Sequence, residues 1–168
     1  PATHEIAVNF PMPLTRREAL ETLGALFAAP ILRWPTLPPD PLAGTIDAPI
    51  GRHPVHRVRM AVVPETLGGK PAVTHFRILE EYAHCTLLEC SLETGRTHQI
   101  RVHMASIKHP LVGDQVYGKV DPRVPLFHRQ ALHATRLGLL HPLTCRPQQW
   151  EAPPPADMLA LLETLRCE

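Results

Sequence analysis

Aromatic residues are scarce in this chain of 168 residues, which holds two Trp, two Tyr and four Phe. That leaves too few rings for the broad base-stacking platform of a general single-strand binder. An excess of charge is also missing. The net charge is +1, so any anion binding must be local and not a property of the whole surface. The eleven histidines add positive charge only below about pH 6.5. None of the four cysteines, Cys85, Cys90, Cys145 and Cys167, forms a CxxC pair, which argues against a zinc site or a dithiol redox motif. Cys90 shares strand parity with Leu88 and Leu92 and reads as a small buried residue. No apolar run approaches the roughly 18 residues that cross a bilayer. The N-terminus has no positive region followed by an apolar stretch, so it does not read as a signal peptide. A soluble protein of a reducing compartment is expected, either the cytoplasm or an organelle matrix such as the mitochondrial one. The chain opens on Pro1 and not Met, as a chain would whose upstream residues had been removed or left out.

What the chain does have is proline, twenty in all, crowded into residues 30–54 and 142–155, where long helices are excluded. Residues 1–14 read as an extended leading strand and loop. Thr15-Arg16-Arg17-Glu18 has the capping-box form, and Leu20, Leu23, Leu26 and Phe27 follow at helical spacing, which predicts a helix over 15–28. An irregular connector over 30–44 follows. Strands are predicted over 58–63, 71–81 and 84–93, the last two joined by a short turn near Tyr82 and Ala83. Thr74, Phe76 and Ile78 share one side of the second, and Leu88, Cys90 and Leu92 face the core from the third. Residues 97–108 read as a helix with Ile100, Met104 and Ile107 as its apolar stripe, stopped by His109-Pro110. A second hairpin over 130–140 and 143–151 turns near Pro142 to Thr144. Met158, Leu161, Leu162 and Leu165 then mark the face of a last helix. The sum is an α+β domain with a mainly antiparallel sheet flanked by helices. No internal repeat or low-complexity tract is present.

The chemistry concentrates between Leu92 and Gly118, LETGRTHQIRVHMASIKHPLVGDQVYG. No acidic residue lies between Glu93 and Asp114, while Arg96, Arg101 and Lys108 are cationic and His98, His103 and His109 can become so. Fixed positive charge at a strand-to-helix junction suits a phosphate or another anion. Gly95 is expected to permit the tight turn into the helix. Arg96 and Arg101 can fork onto a phosphate or a carboxylate. The plainer alternative is surface salt bridges to Glu89, Glu93 or Asp114. His98 and His103 lie five apart and miss the i, i+4 spacing of a metal pair. General acid–base work by either is only weakly signalled. His109 to Asp114 reads as a structured loop in which Asp114 caps a turn or pairs with an arginine. Arg52, His53, His56, Arg57 and Arg59 form a second basic cluster with no acid among them. They are either simply solvated or, beside the first cluster, part of a surface that tracks phosphates.

Several segments, in order, resemble the RluA/RluD-type RNA pseudouridine synthases. They are GTIDAPIGRHP at 44–54, Arg59 to Val62, GKPAVTHF at 69–76, TGRTHQIRVHMA at 94–105, HPLVGDQVYG at 109–118, RQALHATRLGLLHP at 129–142 and EAPPPADMLALLETL at 151–165. The likeness covers about residues 44–166, dividing the chain into a divergent segment, 1–43, and a synthase-like portion, 44–168. The resemblance implies conversion of uridine to pseudouridine in RNA, most often ribosomal RNA, with no metal or organic cofactor and no membrane. It implies an α+β catalytic domain and a target base flipped into a basic cleft. It also implies an aspartate nucleophile, a tyrosine packed on the base, and a basic residue of the GRTHQIR motif paired with that aspartate. Carried onto this chain, Arg101 is the aspartate's partner, Arg96, His98 and Gln99 shape the cleft, and Ile100 is an apolar wall.

The nucleophile itself is missing. The family carries it in an HRLD-x-x-T-S-G-like motif, and nothing like it occurs here. Asp47 and Asp114 fall in matching segments where the family does not place it. Asp40 lies in the proline-rich connector, Asp157 starts the last helix, and Asp121 matches no part of the motif. The base-packing tyrosine is not visible either; Phe27 stands nearest, and Tyr117 belongs to a different motif. A covalent mechanism needs its nucleophile, so this chain alone is not expected to isomerise uridine. The alternatives are a non-catalytic RNA-binding or ribosome-assembly factor on the same fold, with ribosomal or assembly-factor proteins as partners, and a protein-interaction module built on an old enzyme fold.

Overall fold

The computed structural model describes residues 2–9 and 43–167. The helix expected over 15–28, and all but the end of the connector over 30–44, lie outside them. The strands are β1 (Ala2–Asn9), β2 (Ala43–Asp47), β3 (Ile50–Arg52), β4 (Met60–Val62), β5 (Val73–Glu81), β6 (Thr86–Leu92), β7 (Leu132–Leu140) and β8 (Pro147–Glu151). The helices are α1 (Gln99–Ser106) and α2 (Ala156–Arg166), with a 3-10 turn at Glu65–Leu67. Six strands form one sheet in the order β2-β5-β6-β1-β7-β8, every pair antiparallel. β3 and β4 make a separate hairpin.

The leading strand does not sit at an edge. β1 pairs with β6 on one side and β7 on the other, so it closes the middle of the sheet. The expected strand over 58–63 is shorter, at Met60–Val62. The reason is local: His53 N–H donates to the Arg59 carbonyl and Arg59 N–H to that of His56, so the chain before Met60 folds into a closed loop.

Successive residues of a strand point to opposite faces, and β6 makes the layering plain. Leu87 packs with Met158, Leu161, Leu162 and Leu165 of α2, while Leu88 packs with Ile100 and Met104 of α1. The two helices therefore cover opposite faces. Phe76 and Cys90 join the α1 side, as the strand parity predicts. The loop after α1 reaches both cores, through Leu111 on one side and Val112 on the other. Gly113 lets it pass: its φ is +70°, and a Cβ there would stand 2.1 Å from the Arg129 carbonyl oxygen. Among the described residues no helix is long and apolar enough to cross a membrane.

Candidate nucleic-acid interface

The junction between β6 and α1 is built around a buried amide. Gln99 lies at the first turn of α1 and is 3% exposed. Its Oε1 accepts from the Thr94 hydroxyl at 2.8 Å and the Arg96 N–H at 2.9 Å. Its Nε2 donates to the Val73 carbonyl at 2.9 Å and to Thr74 Oγ1 at 3.0 Å. All four capacities of the amide are used, so Gln99 shapes the site from below. The expected role of Gly95 is corrected here. Its φ is not positive and a Cβ would meet open space. The left-handed residue is His98, φ 58°, which caps α1. The helix accordingly begins at Gln99, two residues later than expected.

His103 is the second buried polar group of α1. The Thr74 hydroxyl lies 2.8 Å from its Nδ1, and its Nε2 lies 2.9 Å from the Ala48 carbonyl, to which it must donate. Thr74 already accepts from Gln99, so its own proton goes to Nδ1. That assigns a neutral imidazole. Burial pushes its pKa down, outweighing the Ala48 bond and the Asp47 charge. His103 is thus a core tie between α1, β5 and the segment after β2, and not an acid–base group at the surface.

Arg101 and Asp114 form a bidentate pair, Nε to Oδ2 and Nη2 to Oδ1, both 2.8 Å. The arginine side chain is 11% exposed and the aspartate side chain not at all. Asp114 Oδ1 also accepts the N–H groups of Val116 at 2.9 Å and Tyr117 at 3.0 Å. Burial alone would raise the Asp114 carboxyl, but Arg101 and these two N–H donors together hold it below the usual carboxylate range. Of the two readings left open for Asp114, cap or ion pair, the structure has both.

The turn that Asp114 fixes delivers Tyr117. Its ring lies under the Arg101 guanidinium, 5.0 Å from centroid to Cζ, and meets His98 edge-on at 5.7 Å. Its hydroxyl accepts the Met60 N–H at 3.0 Å and stands 3.0 Å from His98 Nδ1. The one hydroxyl thus ties the Met60 backbone to the His98 ring. Burial, and then the Arg101 charge, lower the His98 pKa against the pull of Asp114.

Met60 opens β4 and follows directly on Arg59, so Tyr117 joins the two basic segments. Arg52, Arg57 and Arg59 are exposed in the β3–β4 hairpin and its loop, and Arg96 and His98 are exposed at the start of α1. Arg96 Nε donates to the Pro71 carbonyl at 3.0 Å, and Arg52 Nη1 to that of Arg57 at 3.0 Å. Sequence reasoning singled out these cations and read Asp114 as a turn cap or an arginine's partner, but it missed Tyr117 as the piece that joins the two segments. The signal was the GDQVYG spacing, which puts a turn-capping carboxylate three residues before an aromatic ring. Among the described residues no group of three or more His, Cys, Asp or Glu is placed to hold a metal.

Comparison with known proteins gives one answer from three directions. Residues 34–106 match the family model described as RNA pseudouridylate synthase. Ribosomal large subunit pseudouridine synthase D of Nitrosomonas europaea is 57% identical over 129 residues, covering 73% of this chain and 37% of that protein. Its counterpart in Escherichia coli K12 is 53% identical over 137 residues, 74% of this chain and 41% of that one. The chain thus spans about two fifths of the length of these curated relatives. The solved structure of human RNA Pseudouridylate Synthase Domain Containing 1 superposes with a TM-score of 0.64 at 23% identity, over 99% of this chain and 66% of that one. That of Domain Containing 4 gives 0.62 at 19% identity. These two likenesses show the fold.

Proposed function

Because the chain belongs to the RluA/RluD-type pseudouridine synthase family, we propose that its basic surface binds the RNA, ribosomal RNA foremost, in which that family turns uridine into pseudouridine. We propose also that these 168 residues do not carry out the isomerisation unaided. The observation behind the RNA reading is the Tyr117 junction, which draws the Arg52–Arg59 cluster and the Arg96–His98 cluster to one place. Cations fixed on a turn and a helix start suit phosphates, whose contacts dominate nucleic-acid affinity.

In this proposal Arg101 is the partner of the family's nucleophile. Asp114 takes its Nε and Nη2, and Nη1 has no hydrogen-bond partner among the described residues. Nη1 is then the edge left for a second carboxylate. The described aspartates supply no nucleophile of their own. Asp114 is buried with both oxygens committed, Asp121 pairs with Arg123 and Asp157 with Arg129. Asp47 ends β2 and makes no ion pair with Arg101. The absence of the HRLD-type motif from the sequence also favours a second reading, an RNA-binding or ribosome-assembly factor without chemistry.

The test is base-specific chemical mapping of pseudouridine in ribosomal RNA incubated with the purified chain, beside RNA binding measured across salt concentrations. The expected result is no isomerised uridine, with binding that weakens as salt rises and a slope shallower by about one in each of Arg59→Ala and Arg96→Ala. Pseudouridine formed by this chain would refute the catalytic half. Salt-independent binding, or none, would refute the RNA half and leave the protein-interaction module.

A further inference from the structure

Two surface turns share a device that the RNA reading does not use. Both begin His-Pro. In the loop between β3 and β4, His53 Nδ1 accepts the backbone N–H of Val55 at 3.1 Å and of His56 at 3.0 Å. Between β7 and β8, His141 Nδ1 accepts those of Leu143 and Thr144, each at 3.2 Å. Each imidazole does what an Asp or Asn side chain does in an Asx turn. Accepting two donors at Nδ1 requires the tautomer with its proton on Nε2.

The His53 turn stands among fixed cations at the candidate interface, and its bonds interlock. His53 N–H donates to the Arg59 carbonyl at 2.9 Å, and Arg59 N–H to that of His56 at 2.8 Å. The His56 ring lies 5.1 Å from the His53 ring. Arg52 Nη1 closes the base of the loop on the Arg57 carbonyl, and the next residue after Arg59, Met60, is tied to Tyr117. Exposed loops pay conformational entropy to be ordered when they bind. A loop ordered beforehand by internal bonds does not.

We propose that His53 is a positioning residue for RNA binding. Its Nδ1 latches residues 53–59 into a fixed arch, so that Arg57 and Arg59 meet RNA phosphates already placed beside Arg96. The proposal rests on the RNA reading above. Its mechanism is separable from that reading, because the latch orders the loop whether or not RNA is present.

Two variants of the whole chain test it. His53→Asn keeps an acceptor at about the reach of Nδ1, and His53→Ala removes it. Amide exchange at Val55 and His56 is followed by NMR. Affinity for a labelled stem-loop RNA with an unpaired uridine is followed across salt concentrations. Wild type and His53→Asn are expected to share protected amides and one salt slope. In His53→Ala both amides exchange roughly fivefold faster, the equivalent of one hydrogen bond, and the slope falls by about one. Unchanged exchange in His53→Ala would overturn the latch. So would a His53→Asn that behaves like His53→Ala, since the ring would then act by some means other than accepting. An RNA slope untouched in His53→Ala despite a loosened loop would overturn the positioning role. Exchange as expected in chains that bind no RNA at all would overturn the RNA reading and not the latch.

Discussion

At the scale of single residues, Asp114 governs the candidate interface without being exposed in it. Its carboxylate answers a guanidinium that is itself nearly buried, and it fixes the turn that brings Tyr117 beneath that guanidinium. Removing one member of a buried ion pair strands the other, which costs far more than the pair contributes. Asp114→Asn should therefore destabilise the fold by about 3 kcal/mol, measured by urea unfolding. The same residue sets an acid limit. Its folded pKa lies below the unfolded value, so the unfolded chain binds the proton first as the pH drops. The stabilisation is complete above about pH 4 and is lost as pH falls through the folded pKa. A stability profile below pH 4 as steep in Asp114→Asn as in the wild type would contradict this assignment. The role was half legible in the sequence. The carboxylate and its turn could be read from GDQVYG, but the choice among Glu89, Glu93 and Asp114 as arginine partner was a question of three dimensions. Gln99 and His103 illustrate the same limit. Both look like surface polar residues of an exposed motif, yet both are buried, because their partners Val73, Thr74 and Ala48 come from β5 and the segment after β2.

At the scale of the element, α1 has left-handed residues at both ends, and neither is glycine. His98 caps the start, and Lys108, φ 69°, follows the end. The C-terminal pattern is a Schellman motif: Lys108 N–H donates to the Ala105 carbonyl at 3.0 Å and His109 N–H to that of Met104 at 2.9 Å. The helix has therefore ended at Ser106, four residues before Pro110, and the proline only forbids its continuation. A lysine in this conformation bears a steric cost that glycine does not. Lys108→Gly is expected to stabilise the protein by roughly 0.5–1 kcal/mol, seen as a higher urea midpoint. No gain would mean that the exposed lysine makes an offsetting contribution in the folded state. The apolar faces of α1 and α2 were legible because a buried stripe repeats every three to four residues, and Met158, Leu161, Leu162 and Leu165 are all buried as that spacing predicts. Caps made by residues other than Gly, Ser or Asp carry no such pattern. For that reason the sequence pointed to Gly95 and passed over His98.

At the scale of the whole molecule, six of the eight strands were visible, β2 and β3 were not, and neither was the strand order. Alternation marks a strand but says nothing about its neighbours, and β1 shows the consequence. Read alone, residues 2–9 are a leading strand ahead of the family-like segments; in the fold they form the bridge between β6 and β7. Ala7 is wholly buried in the core that α1 covers, and Ile6 packs towards the core of α2. Without β1, the backbone groups of β6 and β7 that it satisfies would be left open inside the sheet, and unmade bonds of that kind are costly. The β7–β8 hairpin would lose its hydrogen-bonded link to the strands that carry the interface. A chain begun at residue 44 keeps every residue of the family-like motifs and should nevertheless fail to fold cooperatively. Circular dichroism melts of the two lengths decide the point. A broad, non-cooperative transition in the shortened chain is the expected outcome. A sharp melt at the temperature of the whole chain would mean that residues 44–168 assemble a sheet of their own, and that β1 is an addition to it and not its centre.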